Sequence, residues 1–212
     1  MRTECIKVLT FEELSEEAKQ KAIEKYRDTI DEIHWADENR NSMEKFAEIF
    51  PIKVRDWSYG GRGEGVSFSF EADDAIEELS GQRLATYIWN NYRKDLWHGR
   101  YYGRLSPTDK HGNIIPKSKE HPIGQRHVKR YSKILLDFGD LTGYCMDYSL
   151  CKPIEEFLNK PDSTNFKELL ESCFDAWVKA CNEDVEWQQS DEYITDILIS
   201  NEYEFTEDGN IF

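Results

Sequence analysis

Long apolar runs are missing from this 212-residue chain: none approaches the roughly 20 residues that span a bilayer. The opening MRTECIKVLTFEELSEEAKQ also lacks the apolar core of a secretion signal, so a cytosolic protein without a membrane partner is expected. Cysteine is sparse and unpaired in pattern. The cysteines at 5, 145, 151, 173 and 181 are odd in number and include no CxxC pair, which excludes a disulfide framework and suits a reducing compartment. His98, His111, His121 and His127 stand too far apart to place two ligands on one turn, and no GxSxG, HExxH or Walker signature occurs. Neither a cofactor nor a metal is expected, and no catalytic set can be picked from the 42 carboxylates by sequence alone.

What is abundant is negative charge. The 42 Asp/Glu against 27 Lys/Arg leave a formal charge of −15 on a chain that is 39% hydrophobic and 13% aromatic. With a pI near 4.8 and a mean hydropathy of −0.75, it still has the length and the aromatic area to fold around a core. The charge is segregated: residues 1–92 carry a net −8, residues 93–133 a net +8, and residues 134–212 a net −15. A basic strip in an acidic protein either meets an anionic partner or folds back onto the protein's own acidic surface. Within it, Arg100, Tyr101 and Arg104 belong to WHGRYYGR, a mixture that stacks on bases and grips phosphates, or else pins a loop to the core through its aromatics.

Periodicity predicts an α+β domain with an antiparallel sheet packed against several helices, because hairpin signals recur and βαβ alternation is absent. Residues 4–10 read as a strand. Helices follow from Ser15, with Leu14, Ala18, Ala22, Tyr26 and Ile30 four apart, and over about Ala36 to Ile49, ended by Pro51. IKVRDWSY at 52–59 and VSFSFE at 66–71 read as strands joined by Gly60-Gly-Arg-Gly-Glu-Gly65. That hexapeptide is no phosphate loop, since a strand rather than a helix N-terminus follows it. A helix over about 82–96 leads into an irregular basic insertion at about 97–131. Strands are expected at 133–138 and 144–150, and a long helix from Ser163 to Trp187, capped by Ser163 or Thr164, places Cys173 and Cys181 on its apolar side. A shorter helix over about 190–199 precedes a terminal hairpin turning at Asp208-Gly209.

Opposite the stripe Phe166-Leu170-Trp177 lie Glu168, Glu171, Asp175, Asn182, Glu183 and Glu186, and Glu192 and Asp196 repeat the spacing in the next helix. This is either the solvated face of an amphipathic helix or a surface that imitates nucleic acid toward a basic groove. A step of four residues advances about 6 Å, against about 3.4 Å per phosphate along one DNA strand, so one helix alone falls short of phosphate density.

Two segments are similar to a known family. Phe11-Glu-Glu-Leu-Ser-Glu-Glu-Ala-Lys-Gln-Lys-Ala22 and Asn201-Glu-Tyr-Glu-Phe-Thr-Glu-Asp-Gly209 resemble the start and finish of phage and prophage proteins that carry the genomic label "antitoxin of toxin-antitoxin stability system". The Gly- and aromatic-rich stretch from Trp57 to Phe70 is similar in kind to their middle segment. The resemblance implies a mobile-element origin rather than a chemistry, and brings no catalytic residues with it. It points to an accessory protein of antitoxin, anti-restriction or anti-CRISPR kind.

The resulting expectation is a phage-type acidic binder that blocks a host nuclease, CRISPR effector or toxin by stoichiometric contact, through the seven carboxylates above with Arg100, Tyr101 and Arg104 as further contacts. Exposed aromatics in the 89–102 region are the expected anchors. Two alternatives stay open: a nucleic-acid-binding module using residues 93–133, and a metal-dependent enzyme with Asp137 and Asp140 as first candidates.

Overall fold

In the computed structural model the described residues are 7–30, 35–61, 63–72, 75–96 and 141–212. The expectations for residues 4–6, for the 97–131 insertion and for the 133–138 strand lie outside them.

Strand β1 (Leu9–Thr10) leads through a 3-10 turn to helix α1 (Glu16–Asp28). Ser15 caps α1 as its composition demands: the side chain accepts from the Ala18 N–H at 3.2 Å, Glu16 and Glu17 occupy the positive end, and Lys25 and Arg27 the negative one. Helix α2 (Ala36–Ile49) buries Met43, Phe46 and Ala47 and stops before Pro51. Strands β2 (Ile52–Ser58) and β3 (Gly65–Phe70) pair antiparallel, Ile52 opposite Phe70, with an irregularity between Val54 and Asp56. Helix α3 (Gly81–Leu96) buries Leu84, Ala85, Ile88 and Leu96.

The 144–150 strand is a correction. That segment opens helix α4 (Met146–Asn159), which buries Met146, Asp147, Leu150, Cys151, Ile154, Phe157 and Leu158. From Tyr144 to Leu150 apolar and other residues alternate as in a strand, and Pro153 sits inside the helix; only the later apolar positions show the helical period. Asp147 is 1% exposed yet fully used, its carboxylate accepting from the Thr142 and Gly143 amides at 2.9 and 3.0 Å and from the Thr142 hydroxyl at 3.0 Å.

Helix α5 (Phe166–Gln188) is capped by Asn165, not by Ser163 or Thr164. Asn165 Oδ1 accepts from the Glu168 amide and Glu168 Oε2 accepts from the Asn165 amide, both at 2.9 Å, a reciprocal box that satisfies two orphan donors. Ser190 starts helix α6 (Asp191–Ser200) by accepting from the Tyr193 N–H at 3.2 Å. Strand β4 (Glu204–Phe205) follows; Phe205 bridges Ile211 beyond the Asp208-Gly209 turn, the short terminal hairpin that was expected.

The α+β class holds, but the sheet is divided: among the described residues one antiparallel pair is β2 with β3 and the other is β1 with β4. Each pair belongs to a different core. The larger core gathers α2, the β2–β3 hairpin, α3 and α4 around α5, with Trp177, Phe46, Phe166 and Phe174 at most 1% exposed. Trp177 donates its indole N–H to the Asn39 carbonyl at 3.0 Å, so its single polar group is satisfied where it is buried. Phe166 meets Phe50, Phe70 and Tyr87 with ring centroids 5.8, 5.5 and 6.0 Å apart.

The smaller core joins the two ends of the chain: Phe11, Leu14, Ala18, Ala22 and Ile23 pack on Ile194, Leu198 and Phe205. Leu9 pairs with Phe205 and Thr10 with Glu204, and the Phe11 and Phe205 rings meet edge to face at 5.9 Å. The terminal segments 11–22 and 201–209 are therefore one spatial unit. Arg27 fastens this unit to the α5–α6 joint, donating to the Gln189 carbonyl at 2.9 Å and pairing with Asp191.

Candidate functional site

The glycine-rich loop between β2 and β3 does not hang free. Asn182 of α5 accepts from the Gly60 amide at 2.6 Å and donates to a Glu64 oxygen at 2.6 Å; the other Glu64 oxygen accepts from the Gly61 amide at 3.0 Å. Ser58 closes the base by donating to the Gly63 carbonyl at 2.9 Å. The Gly61 amide is taken by the loop's own carboxylate and the Gly60 amide by Asn182, and a strand rather than a helix follows, in accord with the hairpin-connector reading. Gly60 takes φ +75, which favours glycine, and its amide thereby faces α5.

Clamping the loop onto α5 makes a groove of about 440 Å³ between them. Glu64 and Gly65 form one wall, and Asp175, Val178, Lys179, Asn182, Glu183 and Glu186 form the other and the floor. Four carboxylates and one ammonium give it a strongly negative lining.

All seven of the expected acidic residues are exposed, but they do not share one job. Glu168 is committed to the α5 cap. Glu171 and Glu183 each lie one turn after a lysine, 3.8 Å from Lys167 and 3.7 Å from Lys179, exposed pairs of the weak kind. Asp175, Glu186, Glu192 and Asp196 have no ionic or hydrogen-bonding partner among the described residues, and of these Asp175 and Glu186 line the groove while Glu192 and Asp196 stand on α6. From Glu168 to Glu186 the axis is about 27 Å, so five carboxylates fall about 7 Å apart, half the linear density of one DNA strand. Sequence reasoning placed Asn182 on this face but not its bonds to the loop, and it missed Glu64, which reaches the face from another element; the Gly-rich loop marked the turn but not where it lands.

Arg100, Tyr101 and Arg104 lie outside the described residues, as do Asp137, Asp140 and the histidines at 98, 111, 121 and 127. Among the described residues no group of three or more His, Cys, Asp or Glu is placed to hold a metal ion, and no helix is long and apolar enough to cross a membrane. Of the aromatics in the 89–102 region, Trp89 and Tyr92 are half-buried against the larger core, with the Arg93 guanidinium over Trp89 and the Phe50 ring against Tyr92, and those at 97, 101 and 102 lie outside the described residues. The exposed aromatics among the described residues are Trp35, Tyr148, Trp187 and Phe212.

The cysteines on the apolar side of α5 are buried as expected, and so is Cys151 on α4. Burial pushes the thiols of Cys151 and Cys173 up and that of Cys181 up to about 12, so all three behave as small hydrophobes, while Cys145 is exposed.

Compared with models of protein families, with curated proteins and with solved structures, the chain matches none of them. The likeness of its two ends to the phage family rests on those residues alone.

Proposed function

We propose that this protein is a phage- or prophage-type accessory factor that binds a basic surface of a host macromolecule through the α5 face and the clamped hairpin loop, and so blocks that partner stoichiometrically. The observation that carries this reading is the groove in which Asp175, Glu183 and Glu186 face Glu64 across a loop fixed by Asn182. Carboxylates spread on a solvated helix need no opposing wall; here a second element adds one more to the same concavity. Such a surface governs encounter rate and partner choice more than final affinity. Half-density spacing supports docking of a basic protein surface rather than full imitation of duplex DNA. A DNA-binding host enzyme, whether restriction nuclease, CRISPR effector or nuclease toxin, presents the kind of basic groove that fits.

The test is capture from a host extract with the whole chain as bait, beside the variant D175K/E183K/E186K. Glu168 is left intact because its reversal would break the α5 cap. The expected result is a protein retained by the wild type at low salt, lost from the variant and at about 0.5 M salt, where the Debye length falls to a few ångströms, and whose activity falls to an endpoint at fixed stoichiometry. A retained protein indifferent to both salt and charge reversal overturns the reading.

A further inference from the structure

We infer that Trp187 is the anchor of this docking face, its indole taking an arginine side chain of the basic partner, stacked on the exposed ring and held by the carboxylate of Glu183. This rests on the acidic-docking reading above and names the residue chemistry it selects. Trp187 is 47% exposed and is the one large hydrophobic residue of α5 left so open. It follows Glu183, a residue of the groove, by one helical turn, which makes the two side chains neighbours on the surface.

The indole is held in place although it is exposed. At the end of α5 the Gln189 amide donates to the Val185 carbonyl at 3.1 Å and the Ser190 amide to the Trp187 carbonyl at 3.0 Å. Ser190 then caps α6 and sets Tyr193 edge-on to the Trp187 ring, with centroids 5.9 Å apart and planes at 60°. A side chain fixed before contact loses little rotamer freedom on binding, which is how aromatic anchors come to dominate interfaces. Among the described residues the nearby cations are engaged: Arg27 with Gln189 and Asp191, Lys179 with Glu183. Among the described residues cations do sit over other rings, Arg93 over Trp89 at 5.9 Å and Lys152 over Tyr148 at 5.8 Å, but none covers Trp187. Arginine is the better fit than lysine because a planar guanidinium stacks on indole while its fork reaches a carboxylate, and a nucleobase is disfavoured because its phosphates would meet Glu183 and Glu186.

The experiment uses the whole chain labelled with 5-fluorotryptophan, its fluorine resonances assigned by single substitutions, and titrated with capped hexa-arginine and hexa-lysine peptides at low salt. The expected result is a saturable shift of the Trp187 resonance with hexa-arginine, a smaller one with hexa-lysine, and a roughly three- to tenfold loss of hexa-arginine affinity in Trp187→Leu. Trp187→Phe, which keeps a ring face, should fall between, and Trp35→Leu, which removes another exposed indole, should bind like the wild type. If hexa-arginine binds while the Trp187 resonance stays still, or if Trp35→Leu loses as much as Trp187→Leu, the anchor is wrong and acidic docking stands. If neither peptide binds, the docking reading falls with it.

Discussion

Replacing Gly209 by alanine tests why the two chain ends form one unit. Gly209 has φ +77, and a Cβ there would overlap the Ala18 carbonyl oxygen and lie 3.1 Å from the Ala18 carbonyl carbon. The turn cannot easily retreat: the Thr206 amide donates to the Asn210 carbonyl at 2.9 Å, the Gly209 amide to the Thr206 carbonyl at 2.9 Å, and Lys21 and Lys25 of α1 hold Asp208 and Asn210. The left-handed conformation costs a residue with a Cβ about 1–2 kcal/mol, and forcing the turn off α1 adds about 1–3 kcal/mol of overpacking. A destabilisation of about 2–5 kcal/mol is expected. Because the smaller core is separate from the one around Trp177, hydrogen exchange should localise the loss to β1, α1, α6 and residues 204–212, leaving α5 amides near Trp177 protected. An unchanged urea midpoint, or loss of protection that starts at Trp177, would refute the close approach of Gly209 to Ala18 as the cause.

Other outcomes follow from the same geometry. Asn182→Ala removes the acceptor for Gly60 and the donor to Glu64, both at the surface, so stability should fall by only about 1 kcal/mol while limited proteolysis cuts faster within the 60–65 loop. The Asp208 carboxyl is held down to about 2 by hydrogen bonds from Thr206 and Lys21. A lowered folded pKa means stability present above the ordinary carboxylate range and lost as pH falls from about 4 towards 2; the amides of residues 206–210 should open in that window, and Asp208→Asn should abolish this dependence. Alkylation followed by peptide mapping at mildly alkaline pH should modify Cys145 well before Cys151, Cys173 and Cys181, and equal rates would contradict the burial of the last three.

Much of this architecture could be read from local pattern. The Ser15 cap with its acidic first turn, the four-residue stripe of α1, and the alternation of Val66, Phe68 and Phe70 each specify an element without help from the rest of the chain. Failures came where a local signal was ambiguous. Tyr144 to Leu150 alternates like a strand over seven residues, and Pro153 discourages reading on to Ile154, Phe157 and Leu158, which decide for helix. Ser163, Thr164 and Asn165 are all good caps, and the choice fell to the one whose third following residue is Glu168. Pairing between distant segments was not legible at all: nothing local says that Leu9 meets Phe205, that one expected sheet is two pairs, or that Asn182 receives the loop at Gly60. The acidic stripe was visible as a helical period, but its division into a capping residue, lysine-paired residues and groove residues depends on neighbours supplied by the fold.

The most direct measurement is carboxylate footprinting of the isolated complex, with the free protein as reference and carbodiimide modification read by mass spectrometry. Docking on the α5 face predicts that Asp175, Glu183, Glu186 and Glu64 lose reactivity together on binding, while Glu12 and Glu16 of the terminal unit keep theirs. Full reactivity at the four groove carboxylates, with protection elsewhere on the chain, would contradict it.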